Sequence, residues 1–387
     1  MSDFADKALL PTGMRDVLPP DAEIEASATE QLVACFSSFG YERVKPPLIE
    51  FEESLLSGGG AAMSGQTFRI MDPISQRMMG VRADMTLQVA RIAMTRLKKS
   101  PRPIRLCYGG QVLRVRGTQI RPERQFGQVG SELIGSQNPK ADAEVILMAI
   151  EALYGLGIEN LSIDLALPTL VPAIISGLKL DDQTTATLRA ALDRKDEATL
   201  ISLAADLGKD AISQLTAMLR ATGPAEAALT SLAKLNLPDG ASGERSSLES
   251  VINNIRAATP ELNVTVDLVE SRGLEYHTGV TFTIFAQGIR RELGRGGRYL
   301  AGSSETSDGE PATGMTLFMD SVLRAVPAAQ EEKRLYLPTE TNIAEARKFH
   351  GEGWITVDGL KTDADVKAEA KRLSCSHFLS DGTIQKT

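Results

Sequence analysis

The sequence predicts an α+β protein: an antiparallel sheet flanked by helices, with a helical insertion and a small α/β module at the end. Three observations carry this. Strand-like segments come in runs that read as hairpins, with helical stretches gathered between them. A block at about 178–258, rich in Ala, Leu, Asp and Lys with helical periodicity, interrupts the strands, which resume directly with "LNVTVDLVES". No GxGxxG follows a strand and no GxxxxGKS/T occurs, so the common phosphate-binding devices of parallel α/β folds are missing. At 387 residues the chain is long enough for two domains, expected at 1–327 and 328–387.

The elements follow in order. Pro19-Pro20-Asp21 starts a helix whose apolar positions Ile24, Ala28, Leu32 and Cys35 or Phe36 keep helical spacing, and Gly40 ends it. "YERVKPPLIEF" reads as extended, anchored by Tyr41, Val44 and Leu48, and Pro46-Pro47 places it at an edge or an interface. Asp72-Pro73 marks the turn of a hairpin, and a helix starts at Thr86. Two antiparallel strands joined by an arginine-bearing loop fill 104–135. A helix from Pro139 to Tyr154 and the strand "LSIDLAL" precede the insertion. After it come the strand "VTFTIFAQG", a glycine turn "LGRGGRYL", a helix from Met315 and a linker "AVPAAQEEKR". The tail alternates strand, helix, strand, helix, strand.

Composition narrows the function classes. A net charge of −8 argues against the broad basic face that nucleic acid requires. Cys35, Cys107 and Cys375 are odd in number and far apart, which suits reduced thiols and not a disulfide frame. The three histidines have no metal-ligand spacing; "SCSH" at 374–377 is the nearest approach, and no metal or cofactor is expected. The N-terminal "MSDFADKALLPTG" lacks a signal-peptide core, and no apolar run nears the roughly 20 residues of a membrane span. A cytoplasmic protein without membrane contact is the expectation.

Three stretches concentrate chemistry. In "QFGQVGSE" alternation sets Gln128 and Glu132 on one strand face with Gly130 between them. That suits either a cup for a cationic amine or imidazole, or a plain polar strand edge. Arg114 and Arg116 share a face and Arg121 and Arg124 follow on the loop. Their guanidinium forks suit an anion, or else pair internally with Asp84 or Glu132. Asp84 in "RADMT" stands at a helix start, where capping alone accounts for it. "SRGLEYHTG" carries Arg272, Glu275, Tyr276 and His277 in a turn denser in hydrogen-bonding groups than a hairpin needs, and reads as a ligand-facing loop.

In this order the pieces resemble the class II aminoacyl-tRNA synthetase core, specifically that of histidyl-tRNA synthetase. The likeness runs over about residues 9–326, from "LPTGMRDVLPP" and the dimer-interface segment "YERVKPPLIE" through "VRADMT", the arginine hairpin, "RGLEYHTG" and "GRGGRY" to "ATGMTLFMDSVLRA". It implies a histidine cup in which Asp84, Thr86 and Gln128 meet the α-amino group, Glu132 faces the imidazole and Arg272 the carboxylate. Asp84 replaces a glutamate of the synthetases, Glu275 an aspartate, and His277, next to Tyr276, a second tyrosine. The nucleotide half departs further. Arg114 matches the α-phosphate arginine, but Arg116 replaces an acid that helps read adenine. Ser321 stands where the terminal phosphate is gripped, with Arg324 one helical turn later, and Arg124 completes a vestigial nucleotide site. Two lost charge-assisted contacts, each worth roughly 1.5–3 kcal/mol, weaken ATP binding by about 10² to 10⁴-fold. The tail is also shorter than a synthetase's anticodon-binding domain.

These features together are similar to the regulatory-subunit family of ATP phosphoribosyltransferase. That resemblance implies a chain with no catalytic residues. It implies assembly with the short-form catalytic subunit in a hetero-octamer, a self-dimer through the synthetase-like interface, and histidine as feedback effector. An active histidyl-tRNA synthetase or related amino-acid-activating ligase is the alternative, and a free-standing amino-acid-binding protein is a third.

Overall fold

The computed structural model describes the chain apart from residues 1–8, 57–62, 177, 179, 236, 238, 271–275, 304–307, 329–332 and 363–364. It divides into two compact units, the first ending at Val326 and the second running over Pro327–Thr387.

The strands of the first unit are β1 (Glu42–Arg43), β2 (Ile49–Phe51), β3 (Arg69–Met71), β4 (Met78–Val81), β5 (Ile104–Leu113), β6 (Gln125–Ile134), β7 (Leu161–Ala166), β8 (Gly223–Pro224), β9 (Asn263–Asp267), β10 (His277–Ala286), β11 (Gly294–Ala301) and β12 (Glu310–Phe318). Nine of them form one sheet in the order β1-β5-β6-β12-β11-β10-β7-β9-β8, while β2-β4-β3 form a second. The centre of the large sheet, from β5 to β10, is antiparallel throughout. The expected α+β class is therefore observed.

Alternation along the central strands creates two cores. Cys107, Val129, Leu133 and Leu317 face the helices Asp21–Ser38 and Pro139–Gly155, whose apolar stripes include Leu32, Phe36, Ile146 and Leu153. Leu106, Tyr108, Ile134 and Tyr299 face the other way, onto the helix Thr86–Thr95 with Val89 and Ala93. The helices start for local reasons. Asp21 and Glu23 lie in the first turn of the N-terminal helix, where the dipole favours acids. Asn138 accepts the Lys140 amide ahead of Pro139 at the start of another. The insertion is helical as expected, with helices from Asp182–Asp193 to Asp239–Ala258. Its two-residue strand β8 pairs with β9, a link no Gly-Pro dipeptide announces.

Three expectations need correction. "LGRGGRYL" is not a turn but strand β11, paired on both sides. Its glycines admit close neighbours: a Cβ on Gly296 would stand 2.2 Å from the Gly314 carbonyl and 2.6 Å from the Phe282 ring. The helix expected from Met315 begins at Met319, because β12 pairs Met315 with Ser131 and Gly296. Finally, β5 ends at Leu113, so Arg114 and Arg116 do not share a strand face.

The second unit has strands β13 (Arg334–Leu337), β14 (Ile355–Asp358), β15 (His377–Ser380) and β16 (Thr383–Lys386) in the order β14-β13-β15-β16. β13, β14 and β15 are parallel, with helices Ile343–Gly351 and Val366–Arg372 between them. Leu335, Leu337, Ala346 and Leu379 pack in one core; Tyr336, Ala370, Cys375 and Phe378 pack in another. The extra strand β16 returns through Asp381 and Gly382, both at positive φ, between the paired Ser380 and Thr383. Asp-Gly is the dipeptide a two-residue hairpin turn favours, so this strand was legible and was overlooked. Among the described residues no helix is long and apolar enough to cross a membrane.

Candidate functional site

A cavity of about 260 Å³ opens on the sheet face that carries helix Thr86–Thr95, with Asp84, Thr86, Arg114, Glu132, Tyr276, His277, Arg295 and Tyr299 in its wall. Strand register builds it. Glu132 of β6 stands opposite Gly314 of β12, which stands opposite Gly297 of β11. The next rung on the same face is Gly130, Thr316 and Arg295, about 7 Å along the strands. Glycine at 314 is required here, since a Cβ would come within 1.8 Å of Glu132 Oε2.

Glu132 is fully buried. Tyr299 donates its hydroxyl to Oε2 at 2.8 Å, and Tyr108 donates to Oε1 at 3.3 Å. Tyr108 in turn meets Thr86 Oγ1 at 3.1 Å and Thr316 Oγ1 at 3.0 Å. Burial pushes the Glu132 carboxyl up to about 8, against the opposing pull of these hydroxyl donors. At neutral pH the group is therefore a neutral acid, able to donate to a ligand nitrogen as well as to accept. The same burial, with the nearby Glu132 charge, holds Tyr108 and Tyr299 far above their ordinary range.

Asp84 is the second acid of the cup. It accepts the Thr86 amide at 2.9 Å, so it serves the helix start and also lines the cavity. Gln128 is set differently from the expectation. Fully buried, it donates Nε2 to Asp84 Oδ2 at 2.9 Å and accepts the Met85 amide at 3.2 Å, so it holds Asp84 from behind and does not reach the cavity wall. Nor does Gly130 leave open room: a Cβ there would be 2.4 Å from the Tyr108 hydroxyl, which fills the gap. His277 is buried against Tyr276, their ring centroids 3.9 Å apart, and Tyr276 leans edge-on toward Tyr299. Arg272 and Glu275 lie outside the described residues.

The arginine cluster separates into different jobs. Arg114 lines the cavity, 5.0 Å over the Phe126 ring. Arg116 is exposed and takes no part in the wall. Arg124 braces backbone, donating to the Arg114 carbonyl at 3.2 Å and the Thr12 carbonyl at 3.1 Å. Arg121 is buried in an ion pair with Asp320 at 3.0 Å, donates to Ser321 Oγ at 3.1 Å, and lies 3.9 Å over Phe318. Ser321 is thus a buried structural hydroxyl, and Arg324 pairs with Glu123 outside the cavity. Of the four residues expected for the nucleotide half, only Arg114 reaches the site. Sequence reasoning missed Tyr108, Tyr299, Thr316 and Arg295, which the sheet order brings together. Among the described residues no group of His, Cys, Asp or Glu could hold a metal.

Comparison with known proteins shows the family of the chain. The family model for histidyl-tRNA synthetase matches residues 13–322. The ATP phosphoribosyltransferase regulatory subunit of Paramagnetospirillum magneticum is 56% identical over the whole of both chains. A crystal structure described as an ATP phosphoribosyltransferase regulatory subunit/histidyl-tRNA synthetase from Bacillus halodurans superposes with a TM-score of 0.80 at 26% identity, covering 94% of this chain and 96% of that one. The ATP phosphoribosyl transferase (HisG:HisZ) complex from Thermotoga maritima contains a chain of the same fold, with a TM-score of 0.59 at 18% identity over 76% of this chain and 97% of that one. With its histidyl-tRNA synthetase core and its full-length likeness to these subunits, the chain belongs to the family of ATP phosphoribosyltransferase regulatory subunits.

Proposed function

We propose that this chain is the histidine-sensing regulatory subunit of ATP phosphoribosyltransferase, which joins ATP to phosphoribosyl pyrophosphate at the start of histidine biosynthesis. In the cytoplasm it assembles with the short-form catalytic subunit as a hetero-octamer, raises that subunit's activity and relays inhibition by histidine. Two copies of the chain pair through the synthetase-like interface segment. It performs no aminoacylation of its own.

The observation that carries this reading is the contrast within one cavity. The acid cup of Glu132 and Asp84 is intact and walled by Tyr276, His277 and Tyr299. On the nucleotide side only Arg114 reaches the cavity; Arg121 is spent on Asp320, Ser321 is buried against Arg121, and Arg324 pairs with Glu123. An amino acid can be held there without being activated. Feedback then needs histidine to favour one assembled state, and a coupling of about 1–3 kcal/mol suffices.

The test is phosphoribosyl-ATP formation by the catalytic subunit with and without this chain. Stimulation that histidine reverses is expected. An Arg272→Ala, Glu132→Ala variant that still assembles should lose the histidine effect; unchanged inhibition would move the sensor out of the cup. Histidine-dependent ATP–pyrophosphate exchange by the chain alone would overturn the non-catalytic reading.

A further inference from the structure

The strands beneath the cup carry a second hollow on their other face. On β10, His277 lines the cup and Thr278 the reverse side; on β11, Gly297 and Tyr299 line the cup, whereas Arg298 and Leu300 line a cleft behind it. This cleft measures about 250 Å³, close to the 260 Å³ of the cup. Leu167 and Val280, both buried, give it an apolar wall. The helix Asp239–Ala258 contributes Glu244 and Ser247, whose spacing sets them on one helix face.

The two charged residues of the cleft are in opposite situations. Arg298 is spent: it donates to Asp142 Oδ2 at 2.6 Å and to the Ser136 and Asn138 carbonyls at 2.8 and 3.1 Å. Only its methylenes are left for the cleft, and they lie against Gly279, where a Cβ would come within 3.0 Å of Arg298 Cδ. Glu244 is half-buried, and among the described residues its side chain has one hydrogen-bond partner, the Thr169 hydroxyl, which donates to Oε2. Burial raises the Glu244 carboxyl above its ordinary range, and the Thr169 hydroxyl alone opposes this; no charged neighbour contributes. A half-buried carboxylate without a counter-ion gains from an arriving cation.

The lining decides the chemistry of the ligand. With Arg298 committed, the wall offers a phosphate or a carboxylate no cation, so anions and zwitterionic amino acids are disfavoured. A primary ammonium brings three N–H donors, and Glu244, Gln137, Ser247 and Thr278 supply side-chain oxygens to accept them. Ser247 donates its own proton to the Gly243 carbonyl at 3.1 Å, which leaves its oxygen free to accept. The apolar wall suits a short aliphatic body. We propose that this cleft is a second ligand site, on the reverse of the amino-acid cup, for a compact primary amine without a carboxylate.

Calorimetric titration of the full-length chain with n-butylamine at neutral pH, with and without excess histidine, tests this. Wild type should bind the amine at a site that histidine does not empty. Glu244→Gln keeps an acceptor for Thr169 and should weaken binding about ten- to a hundredfold, the loss of one charge-assisted contact. An unchanged melting temperature reports its intact fold, and its histidine binding should match wild type because the cup lies on the other face. Glu249→Gln, exposed on the same helix, should bind the amine as wild type does. Both γ-aminobutyrate, which adds a carboxylate, and n-butanol, which lacks the charge, should bind more weakly than n-butylamine. No amine binding, equal binding by Glu244→Gln, complete displacement by histidine, or equal binding of γ-aminobutyrate or n-butanol would each overturn the proposal. Amine binding by a chain that does not bind histidine would sink the sensor reading and leave this site standing.

Discussion

Replacing Glu132 by Gln removes one titrating acid from the cup while keeping its shape. The Glu132 carboxyl is fully buried and raised from an ordinary 4.5 to about 8. An unfolded chain loses this proton near 4.5, whereas the folded one keeps it until about 8. Between those values the folded state binds more protons, so wild-type stability falls as pH rises, by about 1.4 kcal/mol per pH unit. The stabilising side of this linkage is fully present below pH 4.5 and is gone above 8. Because Gln does not titrate, every other group cancels in the difference between the two proteins. The gap should therefore shift in favour of Glu132→Gln by roughly 3–4 kcal/mol between pH 5 and pH 8. The single tryptophan, Trp354, lies in the C-terminal unit, so urea unfolding of the large unit is best followed by far-ultraviolet circular dichroism. A gap that stays constant across this range would mean the carboxyl is already ionised in the cup, and the argument from burial would fail.

Three further outcomes follow from the same geometry. Arg121→Ala strands the buried Asp320 carboxylate, whose remaining partner is Arg291 at 3.1 Å, and should cost roughly 3 kcal/mol in urea unfolding; a loss below 1 kcal/mol would mean Arg291 suffices alone. Gly130→Ala drives a methyl group to 2.4 Å from the Met315 carbonyl and the Tyr108 hydroxyl, and a loss of about 2 kcal/mol or more is expected, read as a lower melting temperature. Gln128→Leu leaves Asp84 Oδ2 without its side-chain amide donor and should weaken histidine binding about tenfold by calorimetry, with Glu132 untouched. Equal affinity in that variant would show that Asp84 needs no support.

Much of the large unit was legible because its signals are local. Helical spacing and the Asn138-Pro139 cap marked helices, and alternation in "QFGQVGSE" put Gln128 and Glu132 on one face. Where local signals mislead, neighbours decide. Glycine suggests a turn in isolation, yet Gly296 and Gly297 belong to a strand because strands on either side crowd out any side chain. Met315 suits a helix by pattern, but its backbone is claimed by pairing on both edges.

The binding residues divide along the same line. That Glu132 shares a strand face with Gln128 could be read along the chain, whereas the place of Asp84 beside it was implied only by the family resemblance. That Gln128 stands behind Asp84, that Tyr108 fills the Gly130 gap, and that Arg121 is spent on Asp320 depend on contacts across 44, 22 and 199 positions of separation or more, which carry no mark in sequence spacing. The residue types and strand parity were set by the chain; which arginine faces the cavity and which is buried in a pair was decided only when the sheet order brought β6, β11 and β12 together. Charge pairing acts through space and not along the backbone, so partners become visible only in the folded molecule.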